Sequence, residues 1–73
     1  MKAFVLVKGR DAERIREYVR GMKGVEKAYI VYGGYDLVIE VEFPSVEELG
    51  SFVMKEIRNR FRVDDTMTLI VAD

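Results

Sequence analysis

At 73 residues, with twelve Lys and Arg against thirteen Asp and Glu and a formal charge of −1, the chain suffices for one small domain and lacks the basic excess that phosphate-backbone binding demands. It contains neither cysteine nor histidine, which excludes disulfides, thiolate and imidazole metal sites and catalytic triads, so no metal or cofactor is expected. No apolar run approaches the roughly 18 residues of a membrane span, and Met1-Lys-Ala-Phe-Val-Leu-Val7 is too short for a signal-peptide core with its cleavage site, so a cytoplasmic protein is expected.

Lys2 to Lys8 reads as a strand with two apolar faces, Ala3, Val5 and Val7 on one and Phe4 and Leu6 on the other, which implies cover on both sides. Gly9-Arg-Asp11 breaks the run. Asp11 is then the expected N-cap of a helix reaching about Met22, with Ala12, Ile15, Val19 and Met22 on its buried stripe. The other face, Glu13, Arg14, Arg16, Glu17, Arg20 and Lys23, is solvated, with Glu13–Arg16 and Glu17–Arg20 pairs worth a few tenths of a kcal/mol each. Gly24 is the expected C′ residue that ends the helix.

Val25 starts a hairpin whose two β-branched and aromatic runs flank Gly33-Gly34, the residues that a type I′ turn requires. Pairing across that turn sets Tyr32 opposite Tyr35, Ile30 opposite Leu37, Ala28 opposite Ile39 and Glu26 opposite Val41 on one face. Val31 with Asp36, Tyr29 with Val38 and Lys27 with Glu40 fall on the other. The opposite-charge pair supports this register, because a slip of one residue would turn the apolar set toward water.

The second hairpin strand ends at Phe43-Pro44, and Ser45-Val-Glu-Glu48 is a capping box that starts a second helix. Val46, Leu49, Val53, Ile57 and Phe61 form its expected stripe. Gly50 costs about 1 kcal/mol relative to alanine and marks an expected close approach. Acidic residues early and Lys55, Arg58, Arg60 and Arg62 late suit the helix dipole. After the Asp64-Asp65 loop, Thr66 to Ala72 is the last strand.

The order strand, helix, strand, strand, helix, strand is the split βαβ pattern of an α+β, ferredoxin-like fold: a four-stranded antiparallel sheet with two helices on one face. Two helices cover one face only. A domain this small buries only about 60% of its unfolded surface, so the apolar residues left on the open face predict a homodimer through it. A charged fraction of 34% with no Gln and a single Asn resembles thermophile composition.

Chemistry-bearing candidates are few. Gly33, Gly34, Tyr35 and Asp36 are explained equally well as hairpin chemistry or as a backbone cradle for a carboxylate, with Asp36 facing an ammonium. Thr66 and Thr68, two hydroxyls at a spacing of two, are ordinary strand formers that can also bond a polar ligand at the sheet edge. Lys55, Arg58, Arg60 and Arg62 are better read as a solvated helix end than as a phosphate patch. Tyr29, Tyr32 and Tyr35 are divided between faces and lack the consensus of an RNA-recognition sheet. Asp64-Asp65 has no accompanying base, nucleophile or ligand and reads as a solvated turn.

Together, the run from Gly24 to Val38 with its Gly-x-Tyr-Asp turn (Gly33, Tyr35, Asp36), and the Val-x-x-Thr-x-Thr start of the last strand (Val63, Thr66, Thr68), resemble the effector-binding domain of the Lrp/AsnC feast/famine transcription regulators. This is the regulation of amino-acid metabolism, or RAM, domain, and the similarity spans essentially the whole chain. The resemblance implies dimers formed sheet to sheet, rings of dimers, often octamers, and an amino-acid effector bound between dimers. Carried over, Gly33, Gly34, Tyr35, Asp36, Thr66 and Thr68 become expected ligand contacts and Met67 a weaker one, with Gly34 at the motif's variable position. Regulators of the family carry an N-terminal helix-turn-helix domain, whereas this chain starts at the first strand. The expectation is therefore a single stand-alone sensor domain over residues 1–73, without DNA binding and not an enzyme, with full-length relatives as partners. The alternatives are an ACT-type amino-acid-binding domain, a ligand-free structural oligomerisation module, and a small dimeric α+β barrel enzyme, the last disfavoured by the absence of histidine.

Overall fold

A computed structural model describes residues 1–73 as β1 (Lys2–Lys8), α1 (Ala12–Val19), β2 (Val25–Ile30), β3 (Leu37–Glu42), α2 (Val46–Phe52) continued by a π-helical segment (Val53–Arg58), and β4 (Asp65–Ile70). The strands form one antiparallel sheet in the order β2-β3-β1-β4. This is the expected ferredoxin-like arrangement, with β2 and β4 as edges and both helices on one face.

Strand alternation decides what is buried. Ala3, Val5 and Val7 of β1 and Leu37, Ile39 and Val41 of β3 face the helices and are fully buried with Ile15, Val19 and Ile57. The other face carries Phe4 and Leu6 of β1, Val38 of β3, Tyr29 of β2, and Met67 and Leu69 of β4, which the register sets side by side. Tyr29, Met67 and Leu69 are each close to half exposed.

The hairpin register holds from Lys27↔Glu40 to Ile30↔Leu37 and then shifts at a bulge, so that Val25, not Glu26, meets Val41. The reason is burial: an unshifted strand would point the Glu26 carboxylate at the helix-covered face. The bulge instead turns Val25 toward the core and lets Glu26 reach Lys2 at 3.5 Å. The type I′ turn is also absent. Gly33 alone of the two glycines has positive φ, at +132°. The hairpin closes by the Val31 N–H donating to the Asp36 carbonyl at 3.0 Å, and Tyr32 to Tyr35 form a wider loop in which Tyr32 is almost wholly exposed. Asp36 drives the difference, because its own N–H donates to Val7 on β1 at 2.9 Å.

The first helix ends at Val19, three residues short of Met22, where Arg20 turns extended (ψ 128°). Gly24 is no helix cap. It follows a further turn, at φ +92°, where an added Cβ would stand 2.5 Å from the Phe43 ring. Asp11 occupies the N-cap without a side-chain capping bond and lies 3.5 Å from Arg14 instead. Of the two expected pairs on this helix, Glu17–Arg20 forms at 3.1 Å, and Glu13–Arg16 does not.

In α2 the Ser45 hydroxyl accepts from the Glu48 N–H at 3.2 Å, one half of the capping box. Leu49, Val53 and Ile57 are buried as expected and Phe61 is partly so, while Val46 is 53% exposed and Phe52 takes a buried place against Phe43. The π-helical segment accounts for the change of phase: its wider turns, ending with Asn59 N–H donating to Met54 at 2.8 Å, rotate the stripe away from strict α periodicity. Gly50 makes no close approach, since a Cβ there would meet nothing within 4 Å.

Candidate ligand-binding site

Sheet register brings the hairpin loop and the start of β4 to one end of the molecule, for Leu37 pairs with Val7 and Val7 with Thr66. Across that end the Tyr35 hydroxyl donates to Asp65 Oδ2 at 3.2 Å. Partial burial, and then the bond to the Asp65 carboxylate, raise the Tyr35 pKa above its ordinary value. Asp36 Oδ2 accepts from the Gly9 N–H at 2.8 Å, joining the loop to the segment that follows β1. The carboxylate expected to meet a ligand ammonium is thus half committed to the backbone, with Oδ1 free of protein donors. Gly33 and Gly34 lie exposed at the loop tip.

Thr66 and Thr68 alternate with Met67, so they point to opposite sides of the edge strand. The two threonines share the helix side with Val7 and Val5. There they line one wall of an open groove of about 360 Å³, opposite Leu49, Val53 and Met54. Gly50, bare of a side chain, leaves that wall open. At its rim the Arg58 guanidinium donates to Thr66 Oγ1 at 2.9 Å. Met67 lies on the open sheet face beside Leu6.

The structure therefore joins Tyr35 to the start of β4 and Asp36 to the end of β1 and Gly9, places Thr66 and Thr68 in a neighbouring groove, and turns Met67 away from both. Arg58 is a groove residue that the sequence reading assigned to a solvated helix end. Nothing in its spacing signals the contact with Thr66, which depends on how α2 lies along β4.

Residues 2–73 match the family model for the Lrp/AsnC ligand binding domain. An HTH-type transcriptional regulator of Pyrococcus furiosus, PF0250, is 29% identical over 73 residues, covering 93% of this chain and 49% of its own. The chain thus spans about half the length of the curated relatives it matches. The crystal structure of TTHA0845 from Thermus thermophilus superposes with a TM-score of 0.89 at 34% identity, over 99% of this chain and 92% of that one. NMB0573 from Neisseria meningitidis, a transcriptional regulator solved as an L-Met complex, shares the fold, with a TM-score of 0.83 at 21% identity over 99% of this chain and 49% of that one. The chain belongs to the Lrp/AsnC ligand-binding-domain family, a regulatory module of transcription regulators and not an enzyme.

Proposed function

We propose that residues 1–73 are an amino-acid-sensing module whose dimers form through the open sheet face, and whose effector binds where two dimers meet. The observation that carries this reading is the division of the family-matched positions within one chain: loop tip, groove and sheet face look different ways, so a site made from all of them is completed only by further copies. The L-Met complex of NMB0573 supports an amino acid as the ligand class. The half-exposed Tyr29, Met67 and Leu69 support the sheet-to-sheet dimer, since each large side chain withdrawn from water contributes up to roughly 1.5 to 3 kcal/mol.

Binding and assembly are then linked: a ligand that contacts the assembled form more than the dissociated one raises assembly, and assembly raises its affinity by the same factor. HTH-type regulators of the family, such as the P. furiosus relative, are the proposed partners that read this state. A ligand-free assembly module is the second reading, favoured by the internal bonds of Tyr35 and Asp36.

A thermal-shift screen against the twenty amino acids, with light scattering on the same samples, distinguishes them. One amino acid or a narrow group raising Tm together with a change in assembled mass is the expected result. No shift with any of them, at fixed mass, would replace the sensor with the assembly module.

A further inference from the structure

We propose that the groove between the β1–α1 connection and the segment after α2 binds a small multivalent anion of the oligophosphate class. The groove, about 610 Å³ and open to solvent, is lined by Arg10 and Arg14 from one side and Arg60 and Arg62 from the other, with Phe61 between. The two pairs are distant in sequence, and backbone contacts bring them together. The Asp64 N–H donates to the Lys8 carbonyl at 2.8 Å, and Gly9 passes so close that an added Cβ would lie 3.1 Å from the Arg62 carbonyl.

Two of the guanidinium groups are held in place and two are free. Arg14 lies 5.7 Å over the Phe61 ring and Arg60 4.8 Å over Tyr18, whose hydroxyl is fixed by Glu56 at 2.7 Å. Arg14 is ion-paired with Asp11 and Arg60 with Glu56, each at 3.5 Å. Arg10 and Arg62 have no carboxylate within 4.0 Å, and Asp64 pairs with none of the four. Four arginines against three carboxylates, Asp11 and Asp64 in the lining and Glu56 beside Arg60, leave a local excess of one positive charge in a chain whose formal charge is −1.

Guanidinium forks match phosphate oxygens bidentately, and the space exceeds what one monovalent anion fills. These three carboxylates and the overall acidity oppose a continuous nucleic-acid backbone, which favours a short anion.

The test is titration calorimetry of the intact protein with inorganic tripolyphosphate, ATP, sulfate and a short DNA duplex at matched ionic strength. Saturable tripolyphosphate binding, tighter than sulfate and weakened about tenfold or more in the R10Q/R62Q double variant, is the expected result. ATP binding more tightly than tripolyphosphate through the same arginines also supports the site and identifies its source as a nucleotide. Both side chains are exposed and unpaired, so the variant should keep its Tm in chloride buffer. Equal response to sulfate, affinity unchanged in the double variant, or DNA binding through these arginines without tripolyphosphate binding would each overturn the proposal.

Discussion

Asp36 shows how one side chain serves both the fold and the site. Its carboxylate receives the Gly9 N–H at 2.8 Å while its backbone N–H donates to Val7, so the loop after β3's partner strand, the end of β1 and the start of α1 depend on it together. In Asp36→Ala the Gly9 N–H loses its charged acceptor in a part-buried place. The expected cost is about 1 to 3 kcal/mol of folding stability, read as a lower urea midpoint at unchanged slope. A purely ligand-facing Asp36 would leave that midpoint where it is. The Gly-x-Tyr-Asp pattern makes the place of Asp36 in the turn legible, while its role toward a ligand ammonium stays part of the proposed function. The bond to Gly9 was not legible, because it joins residues 27 apart whose meeting depends on β3 lying beside β1.

At the scale of elements, ionic contacts across strands show the same dependence on register. Lys2 of β1 reaches Glu40 of β3 at 2.6 Å and Glu26 of β2 at 3.5 Å. Their mutual hydrogen bond holds the Glu40 pKa below its ordinary 4.5 and the Lys2 pKa above its ordinary 10.5. The lowered carboxyl contributes fully above 4.5, and its share is lost as pH falls through the lower folded value. The raised amine contributes fully below 10.5, and its share is lost as pH rises through the higher folded value. Wild type and Glu40→Gln should therefore differ by a constant urea midpoint across the middle of the range and converge in acid. A difference that persists unchanged into strong acid would show that charge is not its origin. The hairpin, the two helices and their starts were readable because alternation and N-cap residues are local signals, whereas the glycines at 24, 33, 34 and 50 take roles that only the packed chain decides. The bulge at Glu26 and the π-helical phase shift were not readable, since each answers to what packs above the element.

For the whole molecule, the question is what covers Phe4, Leu6, Tyr29, Val38, Met67 and Leu69. Leu69 is half exposed at the edge of this face and away from the core. Leu69→Lys should therefore leave the protomer folded while desolvating a charge in any sheet-to-sheet contact. Sedimentation is expected to show dimers for the wild type and protomers for the variant at equal micromolar concentration. Identical dimers in both would move the interface elsewhere.

The amino-acid sequence by itself determined the class and order of elements, the apolar surplus of the sheet and the absence of histidine and cysteine chemistry, because periodicity, caps and composition act over a few residues. Only the tertiary structure decided which polar groups meet. Tyr35 with Asp65, Asp36 with Gly9, Arg58 with Thr66, and Arg10 and Arg14 facing Arg60 and Arg62 are products of strand order and helix placement. Those are set by burying one shared core, and the sum of that burial is not written in any single stretch of chain.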